Sequence, residues 1–392
     1  MKRTYSKMDK ILLVLMFIFI IFGLIMIMSA SSMESYMRYG TSPYMYVIRQ
    51  GIFILVGIIL FLIITRIPTK FYQRTSIIII ALAILSLAGL VAYGYYANNA
   101  ASWFKIGPIS IQPSEFAKIA IIIFLAIYYD NHKDYLDTKW VMIKPFFLIL
   151  PMIFLVAMQP DLGTAAIMTI LSGLMFLAAP MKKVIRRKFN LLFVALIILV
   201  VFAFFVTDGK FLKSYQLKRL VSFTDPCERY QEESGYQLCN SFIAFKNGGV
   251  NGQGIGQSTQ KYLYLPESYT DFIFPIIVEE WGMIVGILII LFYFIIISRL
   301  YLISVRATNL KNSLLAYGIC IYFFLHVAVN LVGVMGLGPL TGVPLPFLSY
   351  GGSYIISLMI ALALAQRVAI ETNNEIIKKE KTKKKRRKVE TT

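Results

Sequence analysis

The chain has 392 residues, 58% of them hydrophobic and only 15% charged, whereas a soluble domain carries about 45–50% apolar and about 25% charged residues. That balance excludes a soluble globular protein and predicts an all-α integral membrane protein. The net charge of +19 does not by itself imply nucleic acid, because 10 of the 39 Lys and Arg fall between Arg367 and Lys388, where a basic run beside a span acts as a topology anchor or an anionic-lipid contact.

The first apolar run, Ile11–Met28, follows Lys2, Arg3, Lys7 and Lys10. It is longer than the ~7–15-residue core of a signal peptide, so it reads as an uncleaved first span with its N-terminus in the cytoplasm. Nine more spans of about 20 residues, the length that crosses hydrocarbon, are predicted at Tyr46–Thr65, Ser76–Tyr96, Glu115–Tyr129, Val141–Ala157, Gly163–Pro180, Asn190–Val206, Phe272–Ser298, Ser313–Val334 and Gly352–Ala369. Ten transmembrane helices return the C-terminus to the cytoplasm. Charge supports this layout: 28 of the 39 Lys and Arg lie in the termini and loops it places inside, and seven of the other 11 lie in one long outer loop, a kind of segment that weighs little in the positive-inside rule. The chain thus divides into a membrane domain, residues 1–370, with a large extracellular loop at 207–271 between spans 7 and 8, and a basic cytoplasmic tail, 371–392, of disordered composition.

Two outer turns echo each other. Gln112-Pro113-Ser114-Glu115 opens the fourth span and Gln159-Pro160-Asp161-Leu162-Gly163 the sixth, each setting a carboxylate at a helix N-terminus, where the dipole favours it. Glu115 and Lys118 are one turn apart, and either a simple ion pair or a polar substrate chamber accounts for them. Arg49, at the outer mouth of the second span, suits a snorkelling anchor or a phosphate contact. Trp103–Pro108 reads as an outer turn at the interface.

The histidines, His132 and His326, stand apart, and no Cys/His cluster has metal-ligand spacing. His326, inside a span, fits an interhelical hydrogen bond better than a site residue. Cys227 and Cys239 share the outer loop, so a disulfide is chemically allowed there. The fragment Gly252–Gly256 lacks the strand and helix of a dinucleotide site.

The long loop ends on Leu265-Pro266-Glu267-Ser268-Tyr269-Thr270-Asp271 before the apolar Phe272-Ile273-Phe274. A carboxylate at the mouth of a span is partly stripped of water without being hidden, which suits Asp271 to general-base chemistry; helix capping is the plainer reading. Glu279 and Glu280, two turns further on, fit structural pairing better than catalysis. The last outer turn, Gly336–Gly352, is rich in glycine and proline, as irregular backbone lining a cavity would be.

The motifs QPSEFAK (112–118), QPDLGTA (159–165), LPESYTDFIF (265–274) and PLPFLSYGG (344–352) together resemble the SEDS family, the RodA/FtsW proteins, across the whole membrane region. Residues 256–267 are more similar to the division type, FtsW, and the PLPF turn to RodA. Tyr269 stands where many members carry His. The resemblance implies a peptidoglycan glycosyltransferase of the bacterial cytoplasmic membrane with an outward active site. It implies a donor glycan on undecaprenyl pyrophosphate, lipid II as acceptor, Asp271 as the essential carboxylate, and a single inverting displacement. A pyrophosphate leaving group needs positive charge rather than a proton, for which Arg49 and Lys118 are the outward cations. Gln112, Glu115, Asp161, Glu267 and Thr270 complete the expected substrate site. A divalent cation, Mg or Mn, is the only cofactor expected, with ligands unassigned. A class B penicillin-binding protein and other division or elongation proteins are the implied partners, and no nucleic acid. Two other classes also fit the polar motifs: a lipid II flippase or transporter, and a non-catalytic scaffold for a penicillin-binding protein.

Overall fold

A computed structural model describes residues 7–390 except 94, 98–99, 108 and 192–222. The helices are α1 (Lys10–Tyr39), α2 (Met45–Ile64), α3 (Thr69–Tyr93), α4 (Pro113–Asn131), α5 (Lys139–Ile143), α6 (Phe146–Met158), α7 (Leu162–Ala178), α8 (Glu233–Gly248), α9 (Ile273–Arg306), α10 (Leu310–Val334) and α11 (Gly352–Glu390). Seven spans among the described residues are long and apolar enough to cross a membrane, α5 and α6 together making one of them. Their outward faces are apolar too: Ile11, Val14, Ile18, Ile21 and Ile25 of α1 are exposed while Leu12, Leu15, Phe19 and Met26 are buried. A helix apolar on every side is buried in a large core or faces lipid, and these faces are not covered. The chain is a multi-pass membrane protein.

α4, α10 and the first half of α11, to Thr372, form the centre, with most of their residues buried. The helix positions follow the apolar runs closely, and α7 coincides almost fully with its predicted span. The seventh predicted span, Asn190–Val206, lies outside the described residues beyond its first two.

Three expectations need correction. The chain is not purely helical: Tyr95–Ala97 (β1), Ala100–Ile106 (β2) and Ile109–Ile111 (β3) form a small antiparallel sheet in the order β1-β2-β3. The third span accordingly ends at Tyr93 rather than Tyr96. The supposed interfacial turn Trp103–Pro108 is largely a strand, with Phe104 opposite Ile111 and Ile106 opposite Ile109. Gly107, at φ 61, supplies the positive φ that such a tight hairpin needs, and aromatic and β-branched residues favour the strands. The long loop contains a helix of its own, α8. The basic tail is helical to Glu390 instead of disordered: Lys, Arg and Glu are good helix formers, and extending an existing helix avoids the cost of nucleation.

Two features position the site. The 335–351 turn starts on the surface at Met335 and Leu337 but from Val343 to Ser349 dips between helices. A Cβ on Gly23, near the middle of α1, would fall 2.1 Å from the Phe347 carbonyl oxygen, and the Tyr293 hydroxyl of α9 donates to Pro346 O at 2.6 Å. α9 itself is broken at Gly282, whose φ of 85 and ψ of 168 are not helical; only glycine adopts such a backbone readily.

Candidate functional site

Asp271 lies two residues before α9, half-buried, in a shallow cleft with enclosed room for about one water, whose walls include Asn330, Leu340, Thr341 and Gly342. The N-cap position of α9 falls one residue later, on Phe272. A Cβ on Gly342 would come within 3.5 Å of Asp271 Oδ2, so the bare glycine keeps space open at the carboxylate. The Thr270 hydroxyl lies 2.8 Å from Asp271 Oδ1 and 2.8 Å from Glu267 Oε2. One hydroxyl proton serves one of these carboxylates at a time. Glu267 holds a φ of 55, costly for a residue with a side chain, and its carbonyl caps the turn by accepting from Thr270 N and Phe272 N, both at 3.2 Å.

The backbone beneath the carboxylate is braced from three sides. Asn330 Nδ2 of α10 donates to Asp271 O and to Val343 O, both at 2.8 Å. Ser349 Oγ donates to Thr270 O at 2.5 Å, and Tyr350 N to Tyr269 O at 2.9 Å. Gln50 of α2 holds the same turn, donating to Ser349 O at 3.4 Å and accepting from Gly351 N at 3.2 Å. The glycine- and proline-rich turn is therefore cavity-lining irregular backbone, as its composition predicts.

The two echoing motifs meet. Gln112 Nε2 donates to Asp161 Oδ2 at 3.2 Å, while Asp161 Oδ1 caps α7 by accepting from Thr164 N at 3.0 Å. Gly163 lies against the Thr341 carbonyl, 2.7 Å from where its Cβ would be, which sets the start of α7 beside the cleft wall. Glu115 and Lys118 form an ion pair at 2.8 Å with 3% and 0% side-chain exposure. Lys118 Nζ also lies 2.9 Å from His326 Nε2. An ammonium donates only, so His326 accepts at Nε2 and carries its proton on Nδ1, 3.5 Å from Pro344 O. Lys118 thus has no open face for a phosphate in this arrangement. Arg49 does: it is exposed and hydrogen-bonds the Tyr350 phenol.

Tyr269 packs with Tyr46 and Tyr350, ring centroids 4.5 and 5.8 Å away. Burial, and a hydrogen bond with Tyr46, push its phenol far above the ordinary tyrosine range, so no group at position 269 titrates near neutrality. Sequence reasoning passed over Asn330, Ser349, Gln50 and Tyr46. The signal for one of them was present: His326 and Asn330 are four residues apart in an apolar helix, hence on one face, and polar groups at that depth face a partner or a cavity. Cys227 and Cys239 are bonded to each other, with Cα atoms 5.0 Å apart. Among the described residues no three His, Cys, Asp or Glu side chains converge as a metal site.

A helical membrane bundle with a braced carboxylate in a cleft just before a broken helix defines the class, a multi-pass membrane protein with a polar site at one end of a span. Comparison gives that class its family. The cell cycle protein family that groups FtsW, RodA and SpoVE matches residues 9–374, and the chain belongs to it. It is 36% identical to a probable peptidoglycan glycosyltransferase FtsW of Bacillus subtilis over 97% of this chain and 95% of that one, and 35% identical to that of Dichelobacter nodosus over 90% and 88%. Its fold is that of a chain in a peptidoglycan synthase complex coordinating polymerization and crosslinking (TM-score 0.76, 24% identity, 93% of this chain and 98% of that one). It is also that of the rod shape determining protein RodA of Thermus thermophilus (TM-score 0.65, 22% identity, 92% and 96%).

Proposed function

We propose that the chain is a peptidoglycan glycosyltransferase that polymerises glycan strands from lipid II in cell division or shape, with Asp271 as general base. The observation that carries this is the Asp271 carboxylate, held in an open cleft by three backbone braces at the mouth of a broken span in a family of such enzymes. The lipid tail of each substrate stays in the bilayer while its sugar enters the cleft. Asp271 takes the proton of the acceptor hydroxyl as its oxygen attacks the anomeric carbon of the donor. The bond from that carbon to the pyrophosphate breaks, the pyrophosphate leaves with the electron pair, and the anomeric centre inverts. The leaving group is already anionic and needs no second carboxylic acid, unlike the usual inverting glycosidase. Arg49 is the exposed cation for it, while Lys118 neutralises Glu115 from within the bundle. Thr270 orients the Asp271 carboxylate, and Asp161, held by Gln112, caps α7, whose start lies against Thr341 of the cleft wall.

Glu267 and Thr270, with an oxygen of Asp271, make the hard oxygen donor set that Mg or Mn binds through one or two carboxylates and substrate phosphates. A cation held there would supply further charge against the pyrophosphate. The family layout and the cation split of the sequence support ten spans with both termini in the cytoplasm and the cleft facing outward. Similarity to a chain of a synthase complex supports a class B penicillin-binding protein as partner.

The test is glycan polymerisation by purified Asp271→Asn supplied with lipid II. Loss of ~10²–10⁴-fold, the range for a missing acid–base group, is expected with normal insertion, since Asn also serves at a helix start. Wild-type-like polymer would return Asp271 to a structural role. The wild-type protein in detergent also separates this reading from transport, because a flippase makes no polymer there.

A further inference from the structure

The break in α9 is filled by another part of the chain. In an unbroken helix Met283 N–H would donate to Glu279 O and Ile284 N–H to Glu280 O. Here Met283 N donates to Gly249 O at 3.0 Å and Ile284 N to Val250 O at 3.5 Å, while Glu279 O accepts from Gln253 N at 2.9 Å and Glu280 O from Gly254 N at 3.0 Å. Segment 249–254 thus replaces the missing helical bonds group for group, leaving none of the four orphaned. The fit is at backbone contact. A Cβ on Gly282 would lie 2.3 Å from Val250 O, and one on Gly252 2.4 Å from Glu280 O.

Side chains of α9 close on the same strap. Glu279 is fully buried and accepts from Asn247 Nδ2 and Thr259 Oγ1, both at 2.9 Å, from Gln260 N at 3.2 Å, and from Ser258 Oγ in a shorter contact. Glu280 pairs with Lys261 at 2.9 Å, and Lys261 also donates to Gly256 O at 2.7 Å. The half-helix Ile273–Trp281 is about 13 Å long at 1.5 Å per residue. It starts two residues after Asp271 and ends in this cage, so the strap and the carboxylate sit at opposite ends of one stiff element.

We infer that Glu279 is a positioning residue for the Asp271 step. Its caged carboxylate fixes the far end of the half-helix and, through it, the seat of Asp271 in the cleft. This rests on the general-base reading. Each Glu279 oxygen faces an N–H that can only donate, Asn247 Nδ2 at Oε1 and Gln260 N at Oε2, so an amide there turns an N–H toward a donor and loosens the strap. A misplacement on the order of 1 Å far from the chemistry costs about 10²-fold.

The experiment uses full-length protein in vesicles with lipid II, comparing wild type, Glu279→Gln, Ser258→Ala and Asp271→Asn, together with hydrogen exchange of residues 249–254 and 279–285. Glu279→Gln should lower kcat about 10–100-fold with KM within about twofold. The pH–rate profile should keep its shape, and exchange should quicken in those two segments. Ser258→Ala, which removes a single donor, should show the same pattern more mildly and gives the reading if Glu279→Gln does not insert. Normal turnover per folded molecule despite faster exchange would overturn the inference, because the braces at Asp271 would then suffice alone. A shifted pH–rate limb would overturn it too, by making Glu279 a titrating participant. Polymer from Asp271→Asn would remove the general-base reading and this inference with it, whereas loss there with normal Glu279→Gln turnover would remove the inference alone.

Discussion

Tyr269, standing where many members of the family carry His, serves packing rather than chemistry. It sits two residues from the Asp271 carboxylate, yet its ring is buried among Tyr46 and Tyr350 and its phenol is held protonated at any working pH. A group whose folded pKa is raised this far contributes no change in stability or rate between pH 5 and 9, since it stays neutral throughout. Tyr269→Phe should therefore leave the pH–rate profile unmoved and cost about 1 kcal/mol for the lost hydrogen bond, read from a thermal melt. Lys118 makes the opposite case, a charge kept for its partner. Lys118→Met strands the Glu115 carboxylate in the bundle and should cost about 3–5 kcal/mol, while Glu115→Gln with Lys118→Met should recover much of it. A melting series on the single and double variants checks this. Equal losses in single and double variants would show that the pair does not act as a unit.

The elements were legible where one periodicity ruled and obscure where several pieces of chain share one structure. The apolar runs predicted α2, α7 and α10 nearly to their ends, because twenty apolar residues in a row have few other uses. Of the four family motifs one supplies Asp271 and Phe272 to the cleft wall, and Gln112 and Asp161, from two others, meet each other; the rest of the wall, from Val329 to Val334 and Leu340 to Val343, lies outside them. What could not be read was anything that depends on a distant partner. Nothing local in Ile106-Gly107-Pro108-Ile109 says that strands rather than an interfacial turn will form. Glu279 and Glu280 fit structural pairing, but the strap that receives them begins 30 residues upstream. The outer-loop cysteines were legible as a possible pair, and α8 explains their proximity: Cys239 lies in the helix, and its first turn packs on 226–229, with Gly235 at backbone contact with Arg229 O. Closing a loop of this size contributes about 3 kcal/mol in the chain-entropy model. Cys227→Ser should lower the melting temperature of the loop's protease resistance by that measure, and unreduced wild type should show neither thiol alkylated.

At the scale of the molecule, the proposed topology makes a two-sided prediction: a reporter near Tyr230 reads outside and one after Glu390 reads inside, and two reporters on the same side would overturn the ten-span layout. The bundle centre consists of α4, α10 and the first half of α11, and the dipped turn between the last two carries consequences for how the chain is made. Besides Asn330 of α10 itself, its carbonyls and amides find their partners on Gln50 of α2 and Tyr293 of α9, residues of two other helices. In hydrocarbon an unsatisfied backbone group costs several kcal/mol, so the α10–turn–α11 hairpin is not a unit that can leave the translocon and wait in lipid by itself. It must be delivered against helices already gathered, which makes it the closing piece of assembly. Chains truncated before Leu310 should then persist as a loose, protease-sensitive set of spans. The hairpin expressed alone should be degraded, yet expressed beside the truncated chain it should complete it.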